Sequence, residues 1–302
     1  MTDAARAVGP VPGAPSKTRA AGLSILSNTI LVALKLAAGV ITGSIAIITE
    51  AVHSSIDLLA AMVAWLSVRK ADEPADADHP YGHAKIENLS AAIEGVLILV
   101  GAGIIVYEAA RRLVDQPEVH SLGLGIGVIA FSAVVNLGVS SYLYRQARLT
   151  DSPALEGDAA HVRTDAATST GVLVGLVLVE LTGVELFDPI TALVVAAAIV
   201  SAGVRIIYRS SRVLVDEALP RGELEAVRLT LEEHAAPEIV GYHKLRARRA
   251  GSRRHVDLHV QFAEGTTLSR AHDISHELQG AIRAKLRDAD VLIHLEPAEP
   301  SR

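Results

Sequence analysis

Long apolar stretches dominate the first two thirds of the chain, at about residues 20–43, 45–69, 86–111, 121–146, 155–183 and 187–208. A bilayer core of roughly 30 Å takes about 20 apolar residues per helix, so each stretch is predicted to cross a membrane. From about residue 210 the hydropathy falls and the pattern changes. It then reads as a helix (RSSRVLVDEAL), a strand (YHKLRARRA), an alternating strand (HVDLHVQF), a helix (LSRAHDISHELQGAIRAKL) and a strand (DVLIHL). The expected fold is a membrane α-helical bundle of six transmembrane helices followed by a small α+β domain. The expected division is a tail at 1–16, the six-helix domain at 17–209, the α+β domain at 210–297 and a short tail at 298–302. The first segment, MTDAARAVGPVPGAPS, has Pro and Gly but no apolar core, so it reads as a disordered tail rather than a signal peptide, and the N-terminus is expected to be retained. An αββαβ run of roughly 85 residues is short for a stable monomer, and dimerisation is the natural way to bury more surface.

Charge gives the orientation. Arg6, Lys17, Arg19, Arg69, Lys70, Lys85, Arg145, Arg148, Arg209 and Arg212 fall on one side of a six-helix path, and Arg111 and Arg112 on the other. The positive-inside rule then puts both termini and the 70–85 and 147–154 connections in the cytoplasm, for a multi-pass protein of the inner or plasma membrane. Composition agrees: of 302 residues 50% are hydrophobic, and the mean hydropathy is +0.35. The net charge of −6, with Lys and Arg scattered singly, argues against nucleic acid as a partner. There is no cysteine, which excludes disulfides, thiolate metal sites, iron–sulfur clusters and cysteine nucleophiles. Aromatic residues are 3% of the chain, so the interfacial belt is thin, with Trp65 and Tyr107 among its candidates.

Two apolar helices carry polar residues in matched spacing. EAVHSSIDLLA holds Glu50, His53 and Asp57; GDAAHVRTDAATST holds Asp158, His161 and Asp165. Residues at i, i+3 and i+7 share one helix face, so each trio points one way. Ionisable groups at membrane depth are costly unless paired or lining a wet path. One His–Asp pair alone could equally be interhelical glue. Two matched pairs supply two imidazoles and two carboxylates, which fit a tetrahedral site with Zn–N and Zn–O distances of about 2 Å. His53, Asp57, His161 and Asp165 are therefore the candidate ligands. Glu50 and Asp158, a turn earlier, read as supporting or pathway groups.

Two further clusters lie outside the apolar runs. In DADHPYGHAKIEN, Asp76, His79 and His83 could converge, because Pro80 and Gly82 make a turn that folds one histidine toward the other. On spacing alone, a solvated loop with surface histidines remains open. The C-terminal domain holds His243, His255, His259, His272, His276, His294 and Glu296, a density of coordinating side chains above chance.

Together these residues resemble the cation diffusion facilitator family of divalent-metal transporters, over essentially the whole chain after residue 16. The resemblance is carried by HSSID, HVRTD, HPYGHAKIE, LVDEALP and DVLIHLEP. It implies a homodimer of six-helix units with cytoplasmic ferredoxin-like, metallochaperone-like domains, exporting metal in exchange for protons. By matching positions it implies a transport site at His53, Asp57, His161 and Asp165 and a loop site at Asp76, His79 and His83. It also implies a domain site at His243, His259, His272, His294 and Glu296, and a charge pair of Lys85 with Asp216. No prosthetic group is implied: Zn2+ enters as substrate and as regulatory ligand. His53 stands where many bacterial relatives carry Asp, which resembles the zinc-selective members, and Glu296 stands where Asp is usual. His276, one turn after His272, offers an alternative ligand.

The rival reading from another class is an intramembrane metalloenzyme, but the chain has no HExxH stretch, and a complete four-ligand site leaves no open coordination position for catalysis. A metal sensor merely anchored in the membrane leaves two ligand pairs on different helices unexplained. Within the transporter class, the alternative is a broader exporter that also moves Fe2+, Cd2+, Co2+ or Mn2+.

Overall fold

The computed structural model describes residues 17–42, 45–115, 123–184 and 186–298. Six long helices come first: α1 (Lys17–Thr42), α2 (Ile45–Ala71), α3 (Lys85–Asp115), α4 (Gly123–Thr150), α5 (Pro153–Thr182) and α6 (Phe187–Leu214). They run further than the apolar stretches because their polar ends continue past them; the 31 residues of α3 span about 46 Å at 1.5 Å per residue. By length and apolarity, Lys17–Ala38, Lys85–Arg111, Pro153–Val179 and Phe187–Leu214 qualify as spans among the described residues. Local chemistry sets the ends of α5. Ser152 caps its first turn by accepting from the Leu155 backbone N–H, Pro153 opens it, and Gly183 closes it in the left-handed region at φ 70°.

The described chain separates into two compact units, one ending at Ser211 and the other beginning at Arg212. In the helical unit α5 is central, packing against α1, α2, α3 and α4. Small side chains allow the close approach expected where lipid leaves no hydrophobic drive between helices. Ala20 and Ala21 of α1, Ala147 of α4 and Ala154 and Ala159 of α5 are buried together with Val68, Leu143, Leu155 and Val162. The unit is inside-out relative to a water-soluble bundle. Large apolar side chains such as Ile30, Val100, Val134 and Val194 are exposed, while Asp57, Glu94, Asp158 and His161 are buried.

The second unit contains α7 (Arg221–Glu233), β1 (Ile239–Ala250), β2 (Arg253–Phe262), α8 (Leu268–Lys285) and β3 (Ala289–Pro297). The αββαβ order matches expectation, but its first helix lies elsewhere. RSSRV and the following Leu214 finish α6, the chain turns at Asp216 with φ 63°, and α7 starts after Pro220. Pro220 lacks an N–H and restricts the residue before it, so a helix restarts after it more readily than it runs through it. The sheet has the order β1-β2-β3, with β1 antiparallel and β3 parallel to β2. Alternation along β2 sends Val256, Leu258, Val260 and Phe262 into a core with Val227, Leu231, Ile274, Leu278, Ile282, Val291 and Ile293. The other side of the sheet carries the intervening residues, including His259.

Candidate metal sites

The helical unit brings Asp57 of α2 together with His161 and Asp165 of α5, each offering a ligand atom within 4.8 Å of the others. His161 Nε2 lies 3.2 Å from Asp57 Oδ1. Asp57 and His161 are buried. The His161/Asp165 spacing of one helical turn puts both on the α5 face turned to α2, as the sequence pattern requires. The side chain of His53 lies outside the described residues, as does that of Glu50. Asp158, a turn before His161, accepts from Ser24 Oγ of α1 at 3.0 Å.

Two buried ionisable groups near this site escape a reading based on matched spacing. Glu94 of α3 is buried, with Oε2 3.6 Å from His161 Nδ1. Lys35 of α1 is buried and donates to Ser54 Oγ of α2 at 2.7 Å. Each is a lone charge in an apolar run, SAAIEGVLILV and LVALKLAAG. The rule that marks intramembrane charges as functional candidates would have found them.

The loop trio converges as the turn residues suggest. Asp76 Oδ1 accepts from the backbone N–H of Asp78 at 3.0 Å and of His79 at 2.6 Å. It also lies 3.2 Å from His79 Nδ1, while Asp76 Oδ2 lies 3.3 Å from His83 Nε2. Gly82, at φ 80°, closes the turn by donating its N–H to the His79 carbonyl at 2.9 Å. The two imidazole rings stand 4.5 Å apart, His79 exposed and His83 buried. The backbone N–H of His79, with its ring, holds the Asp76 carboxyl below the usual carboxylate range.

In the second unit, strand register makes the cluster. His243 pairs with His259 across β1 and β2, and His259 with His294 across β2 and β3. A bulge between His243 and Arg246, with Lys244 at φ 51°, lets both residues lie on the face opposite the core. Glu296 gathers the row: His243 Nε2–H donates to Oε2 at 2.7 Å and His259 Nδ1–H to Oε1 at 2.5 Å, while His294 Nε2 is 3.7 Å away. The hydrogen bond from His259, then that from His243, keeps the Glu296 carboxyl below its ordinary range. His243, His259 and Glu296 each offer an atom within 4.8 Å of the others. His272 falls outside this group. It lies on α8, its Nε2 3.1 Å from His276 Nε2. His255 is buried beside Asp290 at 3.5 Å, and burial, aided by Arg248, lowers its tendency to protonate. Asp216 accepts from Arg248 Nη1 at 3.0 Å.

Three groups of imidazole and carboxylate, one of them buried between two membrane-type helices, is the chemistry of divalent transition-metal handling. Residues 22–215 match the cation efflux transmembrane domain and residues 219–298 the cation efflux protein cytoplasmic domain. The chain belongs to the cation efflux, or cation diffusion facilitator, family. It is 34% identical to the uncharacterized transporter sll1263 of Synechocystis sp., over 92% of this chain and 89% of that protein. It is 30% identical to the cation-efflux pump FieF of Pectobacterium atrosepticum, over 94% and 95%. A solved structure of the metal-bound C-terminal domain of the CzcD transporter from Thermotoga maritima is 24% identical with a TM-score of 0.24, covering 26% of this chain and 94% of that one. This cation efflux protein is therefore an integral, multi-pass membrane protein that transports metal cations, with a C-terminal cytoplasmic domain of the type found in such transporters.

Proposed function

We propose that this cation efflux protein exports Zn2+ from the cytoplasm in exchange for protons, through a site formed by Asp57, His161 and Asp165 with His53. The observation that carries the reading is the convergence of a buried imidazole and two carboxylates from α2 and α5 within 4.8 Å. Zinc is held by nitrogen and oxygen ligands at about 2 Å in a tetrahedral shell, and two carboxylates offset the charge of a divalent cation in a medium where an unpaired charge is costly. Ligands drawn from two helices also suit alternating access, because a shift of α2 against α5 changes the site's geometry and its exposure together. Imidazole ligation favours zinc over manganese, and a broader range of exported metals is the second reading, favoured by the cation-efflux pump name of the FieF relatives. A hydrolytic enzyme is disfavoured because a filled four-ligand shell offers no place for an activated water.

The donor set in the cytoplasmic domain fits a borderline transition metal: two imidazoles and a carboxylate already converge, with a third imidazole in the same row. His243, His259, His294 and Glu296 would hold a regulatory Zn2+, which when bound would tie β1, β2 and β3 together on their open face. His272, with His276, is one strand-to-helix step away in sequence and serves this site only through a rearrangement or from a second copy in a homodimer. Asp76, His79 and His83 form the third candidate site, at the start of α3. The orientation read from Lys and Arg places both termini in the cytoplasm. The experiment is metal uptake into proteoliposomes, run for Zn2+, Cd2+, Fe2+, Co2+ and Mn2+ in turn. Zn2+ flux that His161→Ala abolishes supports the reading, and preferred transport of another metal, or full activity of that variant, overturns it.

A further inference from the structure

The cation site leaves one carboxylate without a role. Glu94 of α3 is 0% exposed, and neither of its oxygens has a hydrogen-bond partner among the described residues. An apolar side chain would pack there at far lower cost in a membrane interior, so a carboxylate at this point calls for a function. Its Oε2 stands 3.6 Å from His161 Nδ1, slightly beyond the hydrogen-bond range of about 2.7–3.2 Å and within reach of a small rotation. The opposite ring nitrogen, Nε2, faces Asp57 Oδ1 at 3.2 Å. The imidazole is thus bracketed, with the α2 carboxylate on its Nε2 side and the α3 carboxylate behind it.

Backbone packing is cut to fit this arrangement. Gly157 lies one turn before His161 on α5, and a Cβ there would stand 3.1 Å from Glu94 Cγ, 3.2 Å from Glu94 Cβ and 3.1 Å from Ala91 Cα. The missing side chain leaves the stem of Glu94 its path between α3 and α5. The other acid on this turn, Asp158, accepts from Ser24 Oγ through its Oδ1.

We propose that Glu94 is a positioning residue of the transport site, accepting the Nδ1–H of His161 so that the Nε2 lone pair is turned to the cation between α2 and α5. The proposal rests on the assignment of Asp57, His161 and Asp165 as the cation site. A neutral imidazole carries one proton and ligates through the nitrogen that lacks it, so an acceptor fixed behind Nδ1 selects the ligating tautomer and holds the ring plane. Acceptors of this kind are typically worth about tenfold to hundredfold in metal affinity.

The test is Zn2+ uptake by the full-length protein in proteoliposomes, comparing Glu94→Leu, Glu94→Gln, Gly157→Ala and His161→Ala. Glu94→Leu removes the acceptor and is expected to raise the KM for Zn2+ by about tenfold to hundredfold with a smaller change in maximal rate. Glu94→Gln keeps a carbonyl oxygen that can accept the same proton, and is expected to stay within a few fold of the parent. A parental KM in Glu94→Leu overturns the proposal. Equal, complete loss in the Leu and Gln variants also overturns it, because the charge and not the acceptor would then matter. If Glu94→Leu does not fold, Gly157→Ala decides: it keeps Glu94 but crowds its stem, and a raised KM supports the proposal while a parental KM overturns it. His161→Ala separates the two levels. Normal transport in that variant removes the cation site itself, whereas its loss beside a parental KM in Glu94→Leu removes only the role of Glu94.

Discussion

Asp57 on α2 and His161 on α5, 104 residues apart in sequence, meet at 3.2 Å in the buried interior of the helical unit. A helix pair joined through a cation differs from one joined by apolar packing, because the ligands can be removed while the rest of the interface stays. Asp57→Ala and Asp165→Ala are each expected to abolish Zn2+ flux, a larger loss than the roughly tenfold to hundredfold cost of an outer-shell partner. Both variants should still be inserted and monodisperse in detergent, because the apolar packing of the helical unit, such as the cluster of Ile98, Ala102, Ala160 and Ile199, includes neither acid. Near-normal flux from either variant would remove the assignment.

Selectivity gives a second expectation. Replacing an imidazole by a carboxylate makes a site harder, so His53→Asp should admit more Mn2+ or Cd2+ relative to Zn2+. Competition among these metals for uptake measures this, and an unchanged order of competition would count against His53 as a ligand.

What the sequence makes legible depends on how local the signal is. The lengths of the apolar runs and the acid, His, Asp spacings lie within single helices, so α1 to α6 and the pairing of His161 with Asp165 can be read directly. Glu94 is a different case. It has no partner at i+3 or i+4 of ligand type, and only the packing of α3 on α5, permitted by Gly157, brings it behind His161. The domain histidines depend likewise on strand register. The bulge at Lys244 sets His243 opposite His259, whereas the one-turn spacing of His272 and His276 pairs them locally on α8. RSSRVLVDEAL reads as the domain's first helix, but its first six residues finish α6; Pro220 and the apolar positions Leu224, Val227 and Leu231 mark the domain's own first helix.

The cytoplasmic domain offers a stability test with a defined sign. Glu223 in the first turn of α7 accepts from Arg254 Nε at 3.0 Å and Nη2 at 3.2 Å, and from Arg249 Nη2 at 2.5 Å. Its partial burial opposes ionisation, but the hydrogen bonds and charges of the two arginines outweigh that and hold its carboxyl below the usual range. Arg254 is buried, so Glu223→Ala takes hydrogen bonds from a charged group that solvent cannot reach, at a cost of about 1.5–3 kcal/mol. Because the folded-state pKa is depressed, the stabilisation is present above the unfolded carboxylate value near 4.3 and is lost as pH falls through the lower folded value. Unfolding curves of the full-length protein at pH 7 and on descent toward pH 3 should show a gap between parent and variant that closes in acid. A gap that stays constant with pH would show that the ion pairs contribute nothing.

The last expectation is proton coupling, which follows from the ligands' chemistry. An imidazole nitrogen that can ligate a cation can instead carry a proton, so His53 and His161 can hold one or the other when the site opens to water. Zn2+ needs a lone pair on each ligating nitrogen and therefore expels any proton held there. Cation and proton compete for one site. When that site opens alternately to the two sides of the membrane, competition becomes exchange: protons load where Zn2+ leaves, and depart where Zn2+ binds. An acidic exterior should then accelerate export at a fixed Zn2+ gradient. The measurement is Zn2+ flux in proteoliposomes with and without a pH gradient, the membrane potential clamped, alongside proton release into a weakly buffered medium on Zn2+ binding. His161→Ala should lose both the flux and its share of the released protons. Flux indifferent to the gradient, together with Zn2+ binding that releases no protons, would make the protein a uniporter.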